Sequence, residues 1–352
     1  MAHKPNDWLR GLWYLAARAT DVKAGRVISK QLLSEPILIG RTAAGKLFAI
    51  RDVCPHRGIP LSKGTFDGEA VTCCFHGWRF GPDGRCLEIP SLAPDRKVRL
   101  DRIRAPDYAC LESQGLLWIF FPKHTAKTDT KDIPPAPFFN GFPEDAAPQI
   151  FGTVSYPCHA DNAAYNLMDP AHAAFIHGSW WWRRKQSRLI LKEKILEPAE
   201  RGWRIARHKV ARHNRAYRLL GRDVTSEITY HLPGLRIEEI RGDKHVVFGL
   251  SAVTPVSEHA SEVTQCFYSD LPWLHWLSPV GRHFIKKFLS QDRAVAVLSD
   301  QPQIENFRPI HIPDADIQAR YYAQLQAAWR RASDGKAAFH NPVRRQVVRW
   351  YS

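Results

Sequence analysis

The spacing of hydrophobic residues predicts strands in the first third of the chain, and strands followed by helices in the rest. Short apolar or alternating runs, several bounded by glycine and proline, predict strands at 36–40, 46–50, 115–121, 203–210 and 245–250. Later in the chain, apolar residues recur every three or four positions, which predicts helices at 282–299 and 314–331.

A polar, proline-rich segment at 126–140 separates the two parts. Its lysine, aspartate, threonine and proline residues are typical of a linker. A chain of 352 residues suits about two domains. We therefore expect one domain at 1–125 and a second at 141–352.

Two further segments have recognisable patterns. Gly-Pro-Asp-Gly at 81–84 predicts a turn. The basic tail at 343–351 is compatible with a surface helix, a subunit contact or a disordered segment, and its pattern leaves all three open.

The formal net charge of +15 is spread over both predicted domains, without a basic arm or block. We find no RNA-recognition or helix-turn-helix motif, so we expect a basic surface and no nucleic-acid partner. No apolar run approaches the roughly 18 residues of a membrane span, and the first residues lack the apolar region of a signal peptide. Seven cysteines, an odd number, are not typical of a disulfide framework, which favours the cytoplasm.

Two cysteine–histidine pairs suggest the first metal site: Cys54-Pro-His56 and Cys73-Cys-Phe-His76. Two thiolates and two imidazoles are the ligands of a Rieske [2Fe–2S] cluster, in which cysteines hold one iron and histidines the other. A structural zinc ion also accepts Cys₂His₂ ligands. Zinc fingers usually pair cysteine with cysteine and histidine with histidine, whereas each motif here offers one of each. We therefore favour the cluster.

Cys73 and Cys74 are adjacent, and only one of them can be the ligand. A C-x2-H spacing selects Cys73, so we expect Cys74 to be a small buried hydrophobic residue.

A second group of candidate ligands lies between 166 and 177, in the run Asn-Leu-Met-Asp-Pro-Ala-His-Ala-Ala-Phe-Ile-His. His172 and His177 alone are more often structural residues. Asp169 and Asn166 precede them closely, and two histidines with a carboxylate from elsewhere form the facial triad that binds Fe(II) in O₂-using enzymes.

Together these motifs resemble the oxygenase (α) subunits of Rieske non-haem iron oxygenases, in the monooxygenase and O-demethylase branch. The resemblance rests on C-P-H-R-G, C-x2-H-G-W and N-x2-D-x2-H-x4-H in this order, and it covers essentially the whole chain. It implies an α+β protein, with an N-terminal all-β Rieske domain and a C-terminal helix-grip domain of antiparallel sheet and helices.

The resemblance also implies roles for individual residues. His172 and His177 match the histidines that bind a mononuclear Fe(II). Asp169 matches the carboxylate that links this iron to the cluster of a neighbouring subunit in a homotrimer, and Asn166 matches a polar residue beside the iron. If the segment is helical, the carboxylate of Asp169 can accept an N–H from the ring of His172.

The resemblance implies that the third iron ligand is an acid on a late helix, often just after a glutamate or glutamine. Asp292, which follows Gln291 and precedes an apolar run, fits this description. Asp300 is the second choice, about two helical turns further on. Trp180, Trp181 and Trp182 follow His177, and they suit either a ring-binding pocket or packing between helix and sheet.

The implied function is that of a terminal oxygenase. It would use O₂ and electrons from NAD(P)H, supplied by a separate reductase or ferredoxin, to hydroxylate or oxidatively demethylate a hydrophobic ring-containing substrate. No G-x-G-x-x-G motif follows a strand, so a nicotinamide or flavin site is not expected within this chain. The alternatives are a cis-dihydroxylating dioxygenase, a non-catalytic Rieske electron-transfer protein and a zinc-stabilised binding module.

Overall fold

The protein is described by a computed structural model that covers residues 7–123, 133–177, 189–210, 219–271, 273–300, 310–335 and 337–352. The chain divides into two compact units. One unit comprises Arg10–Ala147, and the other comprises Pro148–Ser352 together with the residues up to Leu9. Residues 126–132 of the predicted linker lie outside the described residues.

The Arg10–Ala147 unit is all β in its described part and contains three small antiparallel sheets, ordered β1-β10-β9, β2-β3-β4 and β5-β6-β7-β8. Buried apolar side chains, among them Leu38, Ile50 and Phe80, form a core that also includes Cys54 and Cys73. The strands are β1 Leu12–Arg18, β2 Arg26–Leu32, β3 Glu35–Arg41, β4 Leu47–Arg51, β5 Thr65–Phe66, β6 Val71–Thr72, β7 Arg79–Phe80, β8 Cys86–Glu88, β9 Cys110–Ser113 and β10 Leu116–Phe121.

The second unit contains an eight-stranded antiparallel sheet with helices, in the order β11-β17-β16-β15-β14-β13-β12-β18. Its strands are β11 Ile150–Tyr156, β12 Leu191–Ala199, β13 Gly202–Lys209, β14 Thr225–His231, β15 Leu235–Arg241, β16 Val246–Ser257, β17 Ala260–Ser269 and β18 Gln346–Tyr351. Its helices are α1 Ala160–Met168, α2 Ala173–Ile176, α3 Ser278–Ser299 and α4 Ile317–Ser333.

These elements confirm the predicted α+β class. All five predicted strands occur, and β16 extends well beyond the predicted 245–250. Both late helices also occur, as α3 and α4. The predicted turn at 81–84 closes with the N–H of Gly84 donating to the carbonyl of Gly81 at 2.8 Å.

Helix α3 lies directly on edge strand β11 because two glycines remove side chains from the contact. A Cβ on Gly152 of β11 would come within 2.7 Å of Ile285 on α3. A Cβ on Gly281 of α3 would in turn come within 2.6 Å of Ile150 on β11. Tyr156 fixes the next turn, since its hydroxyl donates to the carbonyl of Leu289 at 2.6 Å. This packing holds the part of α3 that carries Asp292.

The sequence leaves the conformation of the C-terminal tail open, and the structure shows that it forms a strand. Its last residues form β18, which pairs antiparallel with β12 at the edge of the large sheet. Val348 and Trp350 are buried, whereas Val347 and Tyr351 are exposed. The tail is therefore an edge strand. None of the described helices is both long and apolar enough to cross a membrane.

Candidate metal centres

In the Arg10–Ala147 unit, the two cysteine–histidine motifs form two loops with the same backbone hydrogen bonds. In the first loop, the N–H of Gly58 donates to the carbonyl of Cys54 at 2.9 Å, and the N–H of Cys54 donates to the carbonyl of Ile59 at 2.8 Å. Gly58 has a φ of 72°, a left-handed conformation that glycine adopts without a steric penalty.

The second loop repeats this arrangement. The N–H of Gly77 donates to the carbonyl of Cys73 at 3.0 Å, and the N–H of Cys73 donates to the carbonyl of Trp78 at 2.9 Å. Gly77 has a φ of 71°. Each loop thus places a cysteine at its base and a histidine at its tip.

The cysteines and histidines of these loops differ in exposure. Cys54 and Cys73 are buried, at 2% and 3% exposure, whereas His56 and His76 are exposed. The two imidazole centroids are 4.7 Å apart, and the indole of Trp78 stacks on His56 at 4.5 Å with an interplanar angle of 2°. In this arrangement a sulfur-ligated iron would be buried and a histidine-ligated iron would lie at the surface.

The distances between the candidate ligand atoms of the four side chains also distinguish a two-iron cluster site from a site for a single zinc ion. Around one tetrahedral ion, four Cys and His ligand atoms would crowd within about 4 Å of one another. Among the described residues, the only group of three or more possible ligands whose atoms all lie within 4.8 Å is elsewhere, at His172, His177 and Asp292. The loop residues are therefore spread more widely than a single zinc ion requires.

The surroundings of Cys54 shift the pKa of its thiol in opposite directions. Burial raises the pKa of Cys54, and the neighbouring Cys73 raises it further. Backbone N–H groups of His56 and Arg57 donate toward the Cys54 sulfur and act in the opposite direction. Donors of this kind also tune the potential of an iron–sulfur cluster.

Two features of these loops were not foreseen. The expectation that Cys74 is buried is wrong, since it lies exposed in the turn between Cys73 and Gly77. The buried carboxylate of Asp52 anchors the first loop by accepting the N–H of Ser62 at 2.7 Å and the hydroxyl of Ser29 at 2.6 Å. No sequence signal distinguishes this aspartate from an ordinary surface one.

In the second unit, the structure brings His172, His177 and Asp292 together. Oδ1 of Asp292 lies 3.4 Å from Nε2 of each histidine. This oxygen is buried and accepts no hydrogen bond from the described residues. A buried carboxylate oxygen without a hydrogen-bond donor is costly, and a cation between the three side chains would satisfy it. The residues present therefore fit a metal ion of the facial-triad type.

Hydrogen bonds on the outer side of each imidazole orient it for metal binding. Nδ1 of His172 lies 2.7 Å from the backbone carbonyl oxygen of Asp169. Nδ1 of His177 lies 3.1 Å from Oε1 of Gln291. Because both acceptors are oxygens, each Nδ1 carries the proton and each Nε2 lone pair points toward Asp292. The sequence places Gln291 beside Asp292, but its contact with His177 appears only in three dimensions.

The two histidines differ in electrostatic environment. Burial lowers the pKa of both rings. At His172 burial is the largest single contribution, but the interactions with Asp292 and Asp169 together exceed it, so its pKa lies above the ordinary value. At His177 burial prevails and the pKa is lowered. The ring of Phe288 stacks on His177 at 3.9 Å, which contributes to this burial.

Asp292 belongs to the buried stripe of α3, together with Ile285, Leu289 and Ala296. A carboxylate on an apolar stripe is unusual, because charged side chains are rarely buried without a partner. Asp300 has another role: its carboxylate accepts the backbone N–H of His159 at 3.1 Å and the side-chain amide of Asn162 at 2.6 Å. It thereby holds the start of α1 and does not join the triad.

Asp169 does not lie as the helical expectation supposed, whereas Asn166 lies within α1. Helix α1 ends at Met168, and Asp169 is extended with φ −71° and ψ 118°, since a residue before proline avoids the helical region. Its carboxylate accepts the N–H of Ala171 at 2.7 Å and lies 3.8 Å from the His172 ring. The expected carboxylate–His172 hydrogen bond is therefore wrong, and the backbone carbonyl takes its place. The Asn166 amide donates to the Asn162 carbonyl at 3.2 Å.

The three tryptophans at 180–182 lie outside the described residues.

Comparison with known families covers both units. Residues 12–109 match the family described as Rieske [2Fe-2S] domain. Residues 156–331 match the family described as Vanillate O-demethylase oxygenase C-terminal domain. The first match contains both cysteine–histidine loops, and the second contains His172, His177 and Asp292.

Among curated proteins, the oxygenase component of chloroacetanilide N-alkylformylase from Rhizorhabdus wittichii is 30% identical over 202 residues, or 56% of this chain and 52% of that protein. The chain spans about half the length, or less, of the curated relatives it matches. Among solved structures, dicamba monooxygenase bound to dicamba has a TM-score of 0.72 at 19% identity, covering 91% of this chain and 98% of that one. A caffeine complex of the QL mutant of Pseudomonas putida NdmA has a TM-score of 0.71 at 20% identity, covering 96% of this chain and 97% of that one. These structures share the fold.

Proposed function

The chain belongs to the Rieske non-haem iron oxygenases, and from that premise we propose that it is a terminal oxygenase component. It uses O₂ and electrons from NAD(P)H, delivered by a separate reductase or ferredoxin, to hydroxylate or oxidatively demethylate a hydrophobic ring-containing substrate. The observation that carries this proposal is the presence, in one chain, of the two cysteine–histidine loops and the His172–His177–Asp292 group. An electron-transfer protein alone needs only the loops.

The loops hold the cluster through Cys54, His56, Cys73 and His76. The bound cluster supplies one-electron transfer. The exposure of the two histidines supports electron entry at that edge, where a donor protein can approach. The net charge of +15 favours an acidic donor surface.

The second unit holds a mononuclear Fe(II) through His172, His177 and Asp292, and the bound iron supplies the O₂ chemistry. The protein's own residues keep this site ordered and dry. The Asp169 carbonyl and the Gln291 amide oxygen fix the two histidine rings. Burial of the three ligands limits access of water.

Asp169 links the cluster of a neighbouring subunit to this site in a cyclic homotrimer. Two observations support this role. The Asp169 side chain is 41% exposed, so it is available to a partner. Its backbone carbonyl accepts a hydrogen bond from His172, which connects it to a proposed iron ligand. Asn166 is proposed as a polar residue beside the iron.

The proposed location is the cytoplasm, because none of the seven cysteines forms a disulfide. The names of relatives support the proposed reaction class. A chloroacetanilide N-alkylformylase and a toluene-4-sulfonate monooxygenase are described as having oxygenase or iron-sulfur components, which implies separate partner proteins.

The test is O₂ consumption by the purified protein with NADH and a reductase, against a panel of ring compounds. We expect a brown protein with about three irons per chain and substrate-dependent O₂ uptake with matching product. A colourless protein with one zinc per chain would contradict the proposal. So would a brown protein with two irons that reduces partners but never consumes O₂ with substrate.

The role of Asp169 is tested with mixed assemblies. Asp169→Asn keeps the side-chain shape and removes the charge, so we expect both metals to be retained and most turnover to be lost. Mixing Asp169→Asn subunits with Cys73→Ala subunits creates some junctions with an intact cluster and an intact Asp169. Partial recovery of activity is expected there, whereas an active monomer would contradict the link between subunits.

A further inference from the structure

Trp78 joins the two cysteine–histidine loops through a ring contact. Its indole lies parallel to the imidazole of His56, with an interplanar angle of 2° and ring centroids 4.5 Å apart. This distance is within the range of a favourable stacked pair. Trp78 belongs to the second loop, whereas His56 is at the tip of the first, so the contact crosses from one loop to the other.

The contact depends on a difference between two loops that are otherwise alike. In each loop, the residue five positions after the cysteine accepts the N–H of that cysteine, and this residue is Ile59 in the first loop and Trp78 in the second. Both side chains pack against the apolar core of the unit. Because Ile59 offers no aromatic ring, the second loop covers a histidine of the first, and the first does not cover the second in return.

The second loop is also the better anchored of the two. It connects β6 and β7, which pair with each other antiparallel, and Trp78 directly precedes β7. The first loop follows β4, and the next element after it is only the short 3₁₀ helix Leu61–Lys63. Trp78 therefore carries the rigidity of a strand pair to the exposed tip that holds His56.

Hydrogen bonding within the protein does not explain a tryptophan at this position. The indole nitrogen of Trp78 is buried and has no hydrogen-bond partner among the described residues. A buried donor without an acceptor is costly, so the ring surface over His56 is what Trp78 contributes. An acceptor on the bound cluster would be the other explanation, and a phenylalanine variant separates the two.

His76 has a different aromatic neighbour. The ring of Phe75 lies 3.9 Å from the His76 ring and is tilted by 41°. Phe75 directly precedes His76 in the same loop, and 54% of its surface is exposed. This contact thus stays within one loop and leaves much of the Phe75 ring in water, so it provides a natural comparison for Trp78.

We propose that Trp78 is a positioning residue for the cluster, which fixes the plane of the His56 imidazole and keeps water from one of its faces. The inference rests on the proposed ligand role of His56. Solvent exposure helps to set the potential of an iron–sulfur cluster, because water favours the reduced form, which carries one more negative charge. The negative face of an aromatic ring also disfavours added electron density beside it. Both effects lower the reduction potential, so Trp78 makes the reduced cluster a stronger electron donor.

The test measures the reduction potential and the electron paramagnetic resonance spectrum of the purified holoprotein, after iron content and visible absorption have confirmed the cluster. Trp78→Leu keeps an apolar side chain against the core and removes the ring. At a fixed potential we expect its reduced-to-oxidised ratio to rise about threefold or more, the scale of one aromatic stacking contact. Its g values should also change, because the His56 ring is no longer held in one plane.

Two further variants show whether the ring itself is responsible. Trp78→Phe keeps a ring that can stack and removes the N–H, so its ratio should stay within about twofold of the wild type, with unchanged g values. Phe75→Leu is the matched control, because it removes an aromatic ring beside the other histidine of the same cluster. Since Phe75 is largely exposed, its ratio should also stay within about twofold.

The outcomes distinguish this inference from the proposed function. A wild type without a Rieske spectrum would contradict the ligand role of His56 and the proposed function with it. If that spectrum is present, the inference alone is overturned by an unchanged or lowered ratio in Trp78→Leu, or by an equal rise in Phe75→Leu. An equal shift in Trp78→Phe would overturn it too, because the indole N–H would then be responsible.

Loss of the cluster in Trp78→Leu is covered by a second non-aromatic variant, Trp78→Met, whose longer side chain fills more of the space. The same rise in its ratio is expected. Loss of the cluster in both variants and its retention in Trp78→Phe would also support the ring contact. Loss in all three would overturn the inference, since a stacked ring would then not be sufficient.

Discussion

The two metal centres of this protein are built in contrasting ways. The proposed cluster ligands all lie between 54 and 76, and each loop is closed by its own backbone hydrogen bonds. The triad instead combines His172 and His177 with a helix whose Gln291 follows His177 by 114 residues. Its geometry depends on α3 packing against β11. The first centre is thus specified locally, and the second by tertiary structure.

This difference leads to different expectations for substitutions. In a locally specified centre, neighbouring residues of the same type should not replace one another, because the loop backbone fixes which side chain faces inward. In a centre formed by packing, residues that only orient the ligands should have large effects of their own. The following predictions test this contrast, from the largest expected effect to the smallest.

The largest effect is expected at Cys73. Cys73→Ala should abolish the Rieske absorption, because a buried thiolate ligand is lost. Cys74→Ala should retain it, because Cys74 is exposed in the turn. Visible spectra and iron content of the two purified variants decide the matter. Retention of the cluster in Cys73→Ala and its loss in Cys74→Ala would reverse the assignment.

Asp292 provides the corresponding test of the second centre. Asp292→Ala should lose the mononuclear iron and turnover but stay brown, with iron falling from about three to about two per chain. Asp300→Asn is the control. Asp300 accepts two hydrogen bonds at the start of α1, and the substituted asparagine should keep part of them. Full turnover in Asp292→Ala would show that another residue supplies the third ligand.

The contrast also explains how much the sequence could predict. The candidate cluster ligands could be proposed from the sequence, because each pair lies within one short contiguous motif. For the triad, His172, His177 and Asp292 were anticipated through family resemblance, yet the hydrogen bond expected between the Asp169 carboxylate and His172 was wrong. Pro170 could have predicted the extended backbone of Asp169, because a residue before proline avoids the helical region. The burial of Asp292 among Ile285 and Leu289 was also visible as a carboxylate on an apolar stripe.

Other features could not be predicted from local sequence. The tail strand β18 pairs with β12, which lies more than a hundred residues earlier, and the alternation of the tail does not specify a partner strand. The contact of Gln291 with His177 likewise requires the packing of α3. The exposure of Cys74 depends on which way its side chain points in a tight turn, and the hydrophobic periodicity of the sequence does not predict this.

An intermediate effect is expected at Gln291. Gln291→Leu removes the acceptor for Nδ1 of His177, and loss of such a partner typically lowers metal affinity or activity by about 10- to 100-fold. Gln291→Glu keeps an acceptor oxygen and should stay much closer to the wild type. Iron affinity measured by chelator competition, together with turnover, provides the readout.

The matched control for Gln291 is Ser290→Ala, one residue earlier on α3, where the side chain is exposed. Among the described residues, the Ser290 hydroxyl donates only to the Lys286 carbonyl of its own helix turn. Its loss should leave iron affinity within about twofold, since surface changes away from special features are small. Equal effects of Gln291→Leu and Ser290→Ala would mean that the His177 contact does not matter for metal binding.

The smallest effect is expected within the cluster loops, at their two glycines. Gly58→Ala places a Cβ at φ 72° with nothing within 4 Å, so only the left-handed backbone is penalised, by about 1–2 kcal/mol. Gly77→Ala has the same backbone cost, and its Cβ would also lie 3.2 Å from Cγ of Pro90. Thermal melting of the two holoproteins should therefore show a lower Tm for both, with the larger decrease for Gly77→Ala. Both should keep the cluster spectrum, because neither glycine is a ligand. If Gly58→Ala proved the more damaging, or if either variant lost the cluster while staying folded, the two loops would not be equivalent in the way their hydrogen bonds indicate.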